Sequence, residues 1–289
     1  MPLAPLSTLA QLAQRQQIGL GAFNVVQIET AETLVRAAES SGLPIVLQIS
    51  QNAVAFHGGA LAPLGKATLA IADAASVPVV VHLDHADDLG LIRDAIALGF
   101  SSVMFDGSRL DYRTNVRTTA LVVTMCHAEG LSVEAELGEV GGKDGVHAPG
   151  ARTSPDEARA FVDETGVDLL AVAVGSSHAM TERSAQLDTR LISALSESLA
   201  VPLVLHGSSG VSDAGMVDAI AAGMTKINVS THLNALFTKT LADMLHSRPG
   251  VVDPRAYIAP ANRAVQSEVE RLLHLYASTG HEAAALSAV

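Results

Sequence analysis

The sequence predicts the α/β class and, within it, a closed (β/α)8 barrel of the TIM type with extra C-terminal helices. Three observations carry that expectation. Short β-branched runs recur eight times between residues 21 and 231. The segments between them have helical rather than alternating periodicity, as in Ile28, Ala31, Leu34, Val35 and Ala38 at offsets of 0, 3, 6, 7 and 10. Of the 289 residues 48% are apolar but only 3% aromatic and none is Trp, so the core must be built from Ala, Val, Leu and Ile, which suits a parallel sheet wrapped by Ala-rich helices. A doubly wound open sheet is the runner-up; eight units close naturally, and no GxGxxG follows the first run.

In chain order the predicted strands are GAFNVV (21–26), PIVLQIS (44–50), VPVVVHLDH (77–85), SSVMFDGS (101–108), LSVEAELG (131–138), LLAVAVGSSH (169–178), VPLVLHGSSG (201–210) and TKINVST (225–231). Ser154-Pro155-Asp156-Glu157 reads as an N-cap, a first-turn proline and a capping-box glutamate. Gly42, Gly99, Gly130, Gly166 and Gly223 stand where helices should stop. The Gly-rich stretch 138–154 is too long for an ordinary strand-to-helix connection and suits an active-site lid. After the eighth strand a helix over 233–246, a DPRAY turn and an amphipathic helix over 260–278 are expected. The chain is thus read as a single barrel domain over 1–289, with 233–289 as its helical extension.

A formal net charge of −12 argues against binding nucleic acid through a general field, yet leaves room for a small phosphorylated ligand held by local donors. One cysteine, Cys126, allows no internal disulfide. No apolar run reaches transmembrane length and no signal-peptide pattern is seen, so a soluble cytoplasmic protein is expected.

On a barrel, chemistry belongs at the C-terminal ends of the strands. Those ends carry Asn24, Gln48 and Ser50, Asp84 and His85, Asp106, Glu134 and Glu136, His178, His206, then Asn228 and Ser230. One polar strand end means little. Three strands ending in histidine are harder to dismiss: His85, His178 and His206 converge on one rim, where three neutral imidazoles and an open position make a catalytic zinc site. His82 should share a face with Asp84 and lie deeper, as a satisfied core histidine, with His85 on the opposite face if alternation continues. Asp87 and Asp88 suit a helix N-terminus.

The motifs AFNVV, LQIS, VHLDHADD, VMFDGS, VEAELGEVGG, VGSSH, LHGSSGV, KINVST and DPRAY run almost from end to end, and together they resemble the class II, metal-dependent ketose-bisphosphate aldolases, the fructose- and tagatose-bisphosphate aldolase family. The resemblance implies zinc on His85, His178 and His206. It matches Asp106 and Glu136 to positions for a second or alternative metal, with a monovalent cation as a further candidate cofactor. It also implies Asp84 as the acid/base and Asp144 at the place of the family's loop glutamate. Asn24, Ser50, Ala179, Gly207, Ser208, Ser209, Asn228, Val229, Ser230 and Thr231 fall at substrate- and phosphate-binding positions, and Arg255 matches the arginine for the other phosphate, often across a subunit contact. A sugar-phosphate substrate and a homodimer or homotetramer follow from the same resemblance.

The chemistry needs these types: a base for the carbon-4 hydroxyl proton and a Lewis acid for the charge that collects on the ketone side. Four departures limit what the resemblance carries over, and the last touches a substrate-facing position. Ala179 replaces the family's glycine, Asp144 its glutamate, HGSSG its HGGSG, and NVST its NIDT or NVNT, which puts Ser230 where fructose-type enzymes carry Asp and tagatose-type enzymes Asn. Rival readings are a Schiff-base aldolase using Lys226, the sole lysine on a strand, and a non-catalytic sugar-phosphate-binding paralogue.

Overall fold

Residues two apart on a strand share a face, and here both faces are loaded with apolar groups, so the strands need helices on one side and side-chain filling on the other. A computed structural model of the chain, describing residues 3–137, 152–176 and 183–280, shows how this is met. Eight parallel strands close into a barrel in sequence order: β1 (Leu20–Asn24), β2 (Ile45–Ser50), β3 (Val79–Ala86), β4 (Ser102–Phe105), β5 (Ser132–Glu136), β6 (Leu169–Ala171), β7 (Leu203–Leu205) and β8 (Met224–Val229). The helices are α1 (Leu6–Gln16), α2 (Ile28–Ser41), α3 (Gln51–Phe56), α4 (Leu61–Asp73), α5 (Leu89–Leu98), α6 (Tyr112–His127), α7 (Pro155–Thr165), α8 (Thr189–Ser198), α9 (Asp213–Ala221), α10 (Thr231–Ser247) and α11 (Arg255–Ala277). Among the described residues no helix is long and apolar enough to cross a membrane.

Two apolar clusters result. The larger lies between barrel and helices and takes the outward strand positions, such as Phe23, Leu47, Val81, Val103, Val133 and Leu205. The smaller fills the lower end of the barrel with Leu20, Val46, Val80, Met104, Leu169 and Val204, and is closed by Leu6, Leu9, Ala10 and Ala13 of α1. Ser7 pins that helix, its N–H donating to the Ser132 hydroxyl at 3.0 Å. Above this plug the inward positions turn polar, which leaves the upper half of the barrel for the site.

Helix punctuation follows the sequence at several points. Gly42, Gly99 and Gly166 cap α2, α5 and α7 in the left-handed region, and Ser154 with Pro155 opens α7. The structure corrects other expectations. The N-terminal plug α1 and the short α3 were not anticipated, although Leu6, Leu9, Ala10 and Ala13 have the spacing of one helix face. The sixth and seventh runs form strands of only three residues; Gly207 (φ 68°) turns the chain two residues after β7, and nothing in the structure gives as direct a cause for β6. The last helix starts at Arg255, within DPRAY, and carries Pro260 inside it. Its missing N–H leaves only the carbonyl of Ala256, in the first turn, without a helical donor.

Leu9 is fully buried in the plug, and Leu9→Ala should cost about 3 kcal/mol of unfolding free energy in a denaturant titration. A loss within about 0.5 kcal/mol, the range of an ordinary surface change, would mean that α1 does not close the barrel in solution.

Candidate active site

The site begins with a break in the ladder. Between β3 and β4 the register shifts from Leu83 to Ala86, and within that interval His85 takes φ 50°, one of two described non-glycine residues in the left-handed region. Such a conformation costs about 1 kcal/mol or more and persists only where its surroundings impose it. Alternation therefore does not continue to His85, as the sequence reading supposed. Asp84 keeps its inward direction beside Ser50 in register, and His85 is carried toward the centre as well, where its ring meets that of His206 edge to face.

The imidazole contacts decide what this pair can do. His85 Nδ1 lies 2.9 Å from Asp106 Oδ2, and His206 Nε2 lies 3.0 Å from Glu134 Oε1. A carboxylate on the outer nitrogen of each ring fixes the proton there, so His85 Nε2 and His206 Nδ1 carry lone pairs when the rings are neutral. Those two atoms face each other at 2.9 Å. Two lone pairs at that distance need a positive centre between them. In the metal-free chain a proton serves: burial lowers the His85 pKa, but Asp84 and the Asp106 hydrogen bond outweigh it and raise the value to about 9. A metal serves equally. Two ligands of a tetrahedral zinc at about 2.0–2.1 Å stand about 3.3 Å apart, so a slight opening of the pair would admit it. Ligand atoms of His85, His206 and buried Glu136 all lie within 4.8 Å of one another, a third donor in place.

Asp106 was matched to a metal position, but both its oxygens meet protein donors: Oδ2 takes His85 and Oδ1 takes the Ser108 hydroxyl at 2.6 Å and its N–H at 3.2 Å. Burial pushes its carboxyl up, and the His85 and Ser108 hydrogen bonds outweigh that, holding it well below the usual range. Glu136 ends β5, where Asn115 of α6 donates to its carbonyl at 3.1 Å. Gly107 makes room for that amide, since a Cβ there would meet Asn115 Oδ1 at 2.2 Å.

Asp84 lies at the centre of this mouth, 2% exposed, with Asn228 Nδ2 at 3.4 Å from Oδ1. Burial raises its pKa, but electrostatic interaction with His85 and Lys226, and then with His206 and His82, outweighs that and brings it below the ordinary value, so it stands as a carboxylate at neutral pH. Asn24 accepts from Gln48 at 2.8 Å. Gly207 starts a 3-10 turn over Ser208–Gly210; the Ser208 hydroxyl donates to the Asn228 carbonyl, and Ser209 Oγ accepts from the N–H of His232 at 3.1 Å. Ser230 is the N-cap of α10 with no side-chain capping bond, so Val229, Ser230 and Thr231 lead into a helix start whose N–H groups suit an anion.

Ser50 caps α3, accepting from the N–H of Ala53 at 3.1 Å. Arg255 is exposed at the start of α11 and spends its side-chain hydrogen bonds on Asp253. His178, Ala179 and Asp144 lie outside the described residues.

Sequence reasoning missed the layer beneath. Lys226 and Glu134, both fully buried, form an ion pair at 2.9 Å, with Lys226 also donating to Asn228 Oδ1 at 2.8 Å and reaching Gln48 Oε1 at 3.4 Å. These three oxygens occupy the amine a Schiff-base mechanism would need free, which counts against that rival. His82 lies beside this pair, its Nδ1 2.8 Å from the Ser102 hydroxyl and its Nε2 3.8 Å from Glu134. Burial and the Lys226 charge lower its pKa to about 3. The signal was present as inward polar positions two residues below Glu136, Asn228 and Asp84, but alternation does not say which will pair.

The family model for class-II fructose-bisphosphate aldolase matches residues 4–281. The chain is 35% identical to the fructose-bisphosphate aldolase of Geobacillus stearothermophilus, covering 98% of this chain and all of that one, and 35% identical to that of Thermus caldophilus over 93% and 96%. Among solved structures it resembles a putative fructose-1,6-bisphosphate aldolase from Coccidioides immitis (TM-score 0.83, 30% identity, 95% and 96% covered). It also resembles the YdjI aldolase of Escherichia coli K12 (TM-score 0.81, 29% identity, 96% and 98% covered).

A histidine whose folded pKa lies below its unfolded value binds its proton preferentially in the unfolded chain, so His82 subtracts stability as pH falls from about 6.5 toward 3 and nothing above that window. The His82 ring resonances should stay at their neutral positions between pH 5 and 8. A titration step centred near 6.5 would contradict the buried placement.

Proposed function

Because the chain belongs to the class-II fructose-bisphosphate aldolase family and is an aldehyde-lyase, we propose that it reversibly cleaves a ketose bisphosphate between carbons 3 and 4, giving dihydroxyacetone phosphate and an aldehyde. The observation that carries this is the pair of imidazole nitrogens, His85 Nε2 and His206 Nδ1, facing each other at 2.9 Å with each outer nitrogen held by a carboxylate and Asp84 alongside. We assign zinc to His85 and His206, with His178 as third ligand by family resemblance and Glu136 as an alternative donor. Bound there, the ion supplies Lewis-acid stabilisation of the negative charge that develops on the ketone side.

The chain's own groups supply the rest. Asp84 takes the proton from the carbon-4 hydroxyl, and its carboxylate form at neutral pH suits that task. Asn228 and Asn24 present amides at the mouth for the substrate hydroxyls. The turn from Gly207 to Ser209 and the start of α10 at Val229, Ser230 and Thr231 hold the phosphate of the dihydroxyacetone-phosphate end through N–H groups, which explains how an acidic chain accepts an anion. Asp144 is assigned the proton transfer at dihydroxyacetone phosphate in the condensation direction, and Ala179 a backbone contact with phosphate. Ser230 offers a short neutral hydroxyl where relatives of fructose or tagatose type carry longer groups, so the preference among ketose bisphosphates turns on this position. Arg255, exposed and paired with Asp253, is assigned by the family resemblance to a second phosphate across a subunit contact, and we infer a cytoplasmic homodimer or homotetramer.

Chelation with EDTA should abolish cleavage of fructose 1,6-bisphosphate, and zinc should restore it; full activity in a metal-free preparation would falsify the assignment. Asp84→Ala should lower kcat by about 10²–10⁴ while zinc remains bound at one equivalent, measured by coupled assay and metal analysis. Unchanged turnover would return the proton transfer to another group.

A further inference from the structure

We propose that Lys226 is a positioning residue that sets the hydrogen-bond polarity of the whole site, fixing the tautomer of His206 through Glu134 and the amide orientations of Asn228, Gln48 and Asn24. Its bearing on catalysis rests on the aldolase reading above; its bearing on the tautomer does not.

Donors and acceptors decide how each group around Lys226 is turned. An ammonium group has three protons to give and accepts nothing. Lys226 Nζ lies near three oxygens, Glu134 Oε2 at 2.9 Å, Asn228 Oδ1 at 2.8 Å and Gln48 Oε1 at 3.4 Å, so each neighbour is told which end to present. An amide alone could turn either way. With its oxygen on Lys226, Asn228 must direct Nδ2 toward Asp84 Oδ1, at 3.4 Å. With its oxygen on the same ammonium, Gln48 must give Nε2 to Asn24 Oδ1, at 2.8 Å, which leaves the Asn24 N–H groups for the mouth. Glu134, neutralised on one oxygen, offers the other to His206 Nε2 at 3.0 Å. That contact makes Nε2 the protonated nitrogen and leaves the Nδ1 lone pair toward His85 Nε2. The approach of Asn228 Nδ2 to His206 Nε2 at 3.3 Å is then a packing contact, since that proton is already given to Glu134.

Stability gives little reason for the pair. Both side chains are fully buried, and a well-packed apolar replacement of such a pair is often neutral or stabilising. A charge that orients three neighbours, and through them His206 and Asn24, cannot be replaced in that way.

The test compares wild-type protein with Lys226→Met and with the double variant Glu134→Gln/Lys226→Met, which leaves no unpaired buried charge and keeps side-chain volume. Long-range 15N–1H spectra of histidine-labelled, zinc-free protein report the His206 tautomer; chelator competition reports zinc affinity. In wild type His206 should be wholly Nε2–H. In folded Lys226→Met, where Glu134 is kept but without its counter-charge can take up a proton and donate as well as accept, it should become a mixture of tautomers, with zinc held about 10- to 100-fold more weakly. Where that variant does not fold, the double variant is compared with Glu134→Gln alone, in which Lys226 should hold the new amide oxygen and turn its N–H to His206, an order the double variant should lose. A folded Lys226→Met that keeps a pure Nε2–H tautomer and wild-type zinc affinity, or a double variant with the same tautomer as Glu134→Gln, overturns the proposal, as does wild-type protein with the proton on Nδ1. The tautomer is read without metal or turnover, so an absence of zinc binding or cleavage in wild type would count against the aldolase reading alone.

Discussion

An ammonium and a carboxylate 2.9 Å apart and wholly out of solvent, Lys226 and Glu134, set the terms for everything above them in the barrel. Taking two ions out of water costs several kcal/mol each, and only close geometry with satisfied neighbours recovers it. Here the neighbours are Asn228, Gln48 and His206, the groups that open onto the mouth. The expense of burying the pair and the order of the site have the same source. His82 completes the layer as a neutral ring held by Ser102, since a further positive charge beside Lys226 would be opposed by both burial and repulsion.

The rest of the fold isolates this layer. Below it, α1 and the inward Val, Leu and Met residues keep water from the lower end of the barrel. Around it, the larger apolar cluster fastens the strands to the helices and gives the side chains a rigid base. Above it, the chain departs from regularity where reach is needed: His85 in the left-handed region at the β3 bulge, Gly207 at the end of β7, and Ser230 at the start of α10. The left-handed His85 and the early ends of β6 and β7 lie at the upper rim, whereas the lower end carries irregularities of its own, a register shift between β7 and β8 at Leu203 and Val204 and Gln17 at φ 55°. The irregularities at the rim are the ones beside the candidate site, as suits a barrel that holds its chemistry at the ends of its strands.

Much of this was legible in the sequence. Eight β-branched runs separated by helical periodicity give the barrel, since each strand buried on both faces must read as a continuous apolar run. Strand-end logic finds Asp84, His85 and His206, which the fold brings together from separate units, and glycine stops at 42, 99 and 166 mark helix ends. Three features were hidden for physical reasons. Alternation predicts a face for His85, and a bulge is a backbone irregularity that no side-chain pattern encodes. The Glu134–Lys226 pair joins strands β5 and β8, and periodicity assigns each to the inside without saying that they meet. The α1 plug reads as an ordinary amphipathic helix, with nothing local to say that its partner is the floor of the barrel.

The most direct test of the claim that this buried pair prepares a two-histidine metal seat is the zinc-edge anomalous signal of crystals grown with zinc. The account predicts one strong peak bonded to both His85 Nε2 and His206 Nδ1 at about 2.0–2.1 Å, with Glu134 still on His206 Nε2. A peak ligated through His206 Nε2, or one held by Asp106 in place of His85, would contradict it.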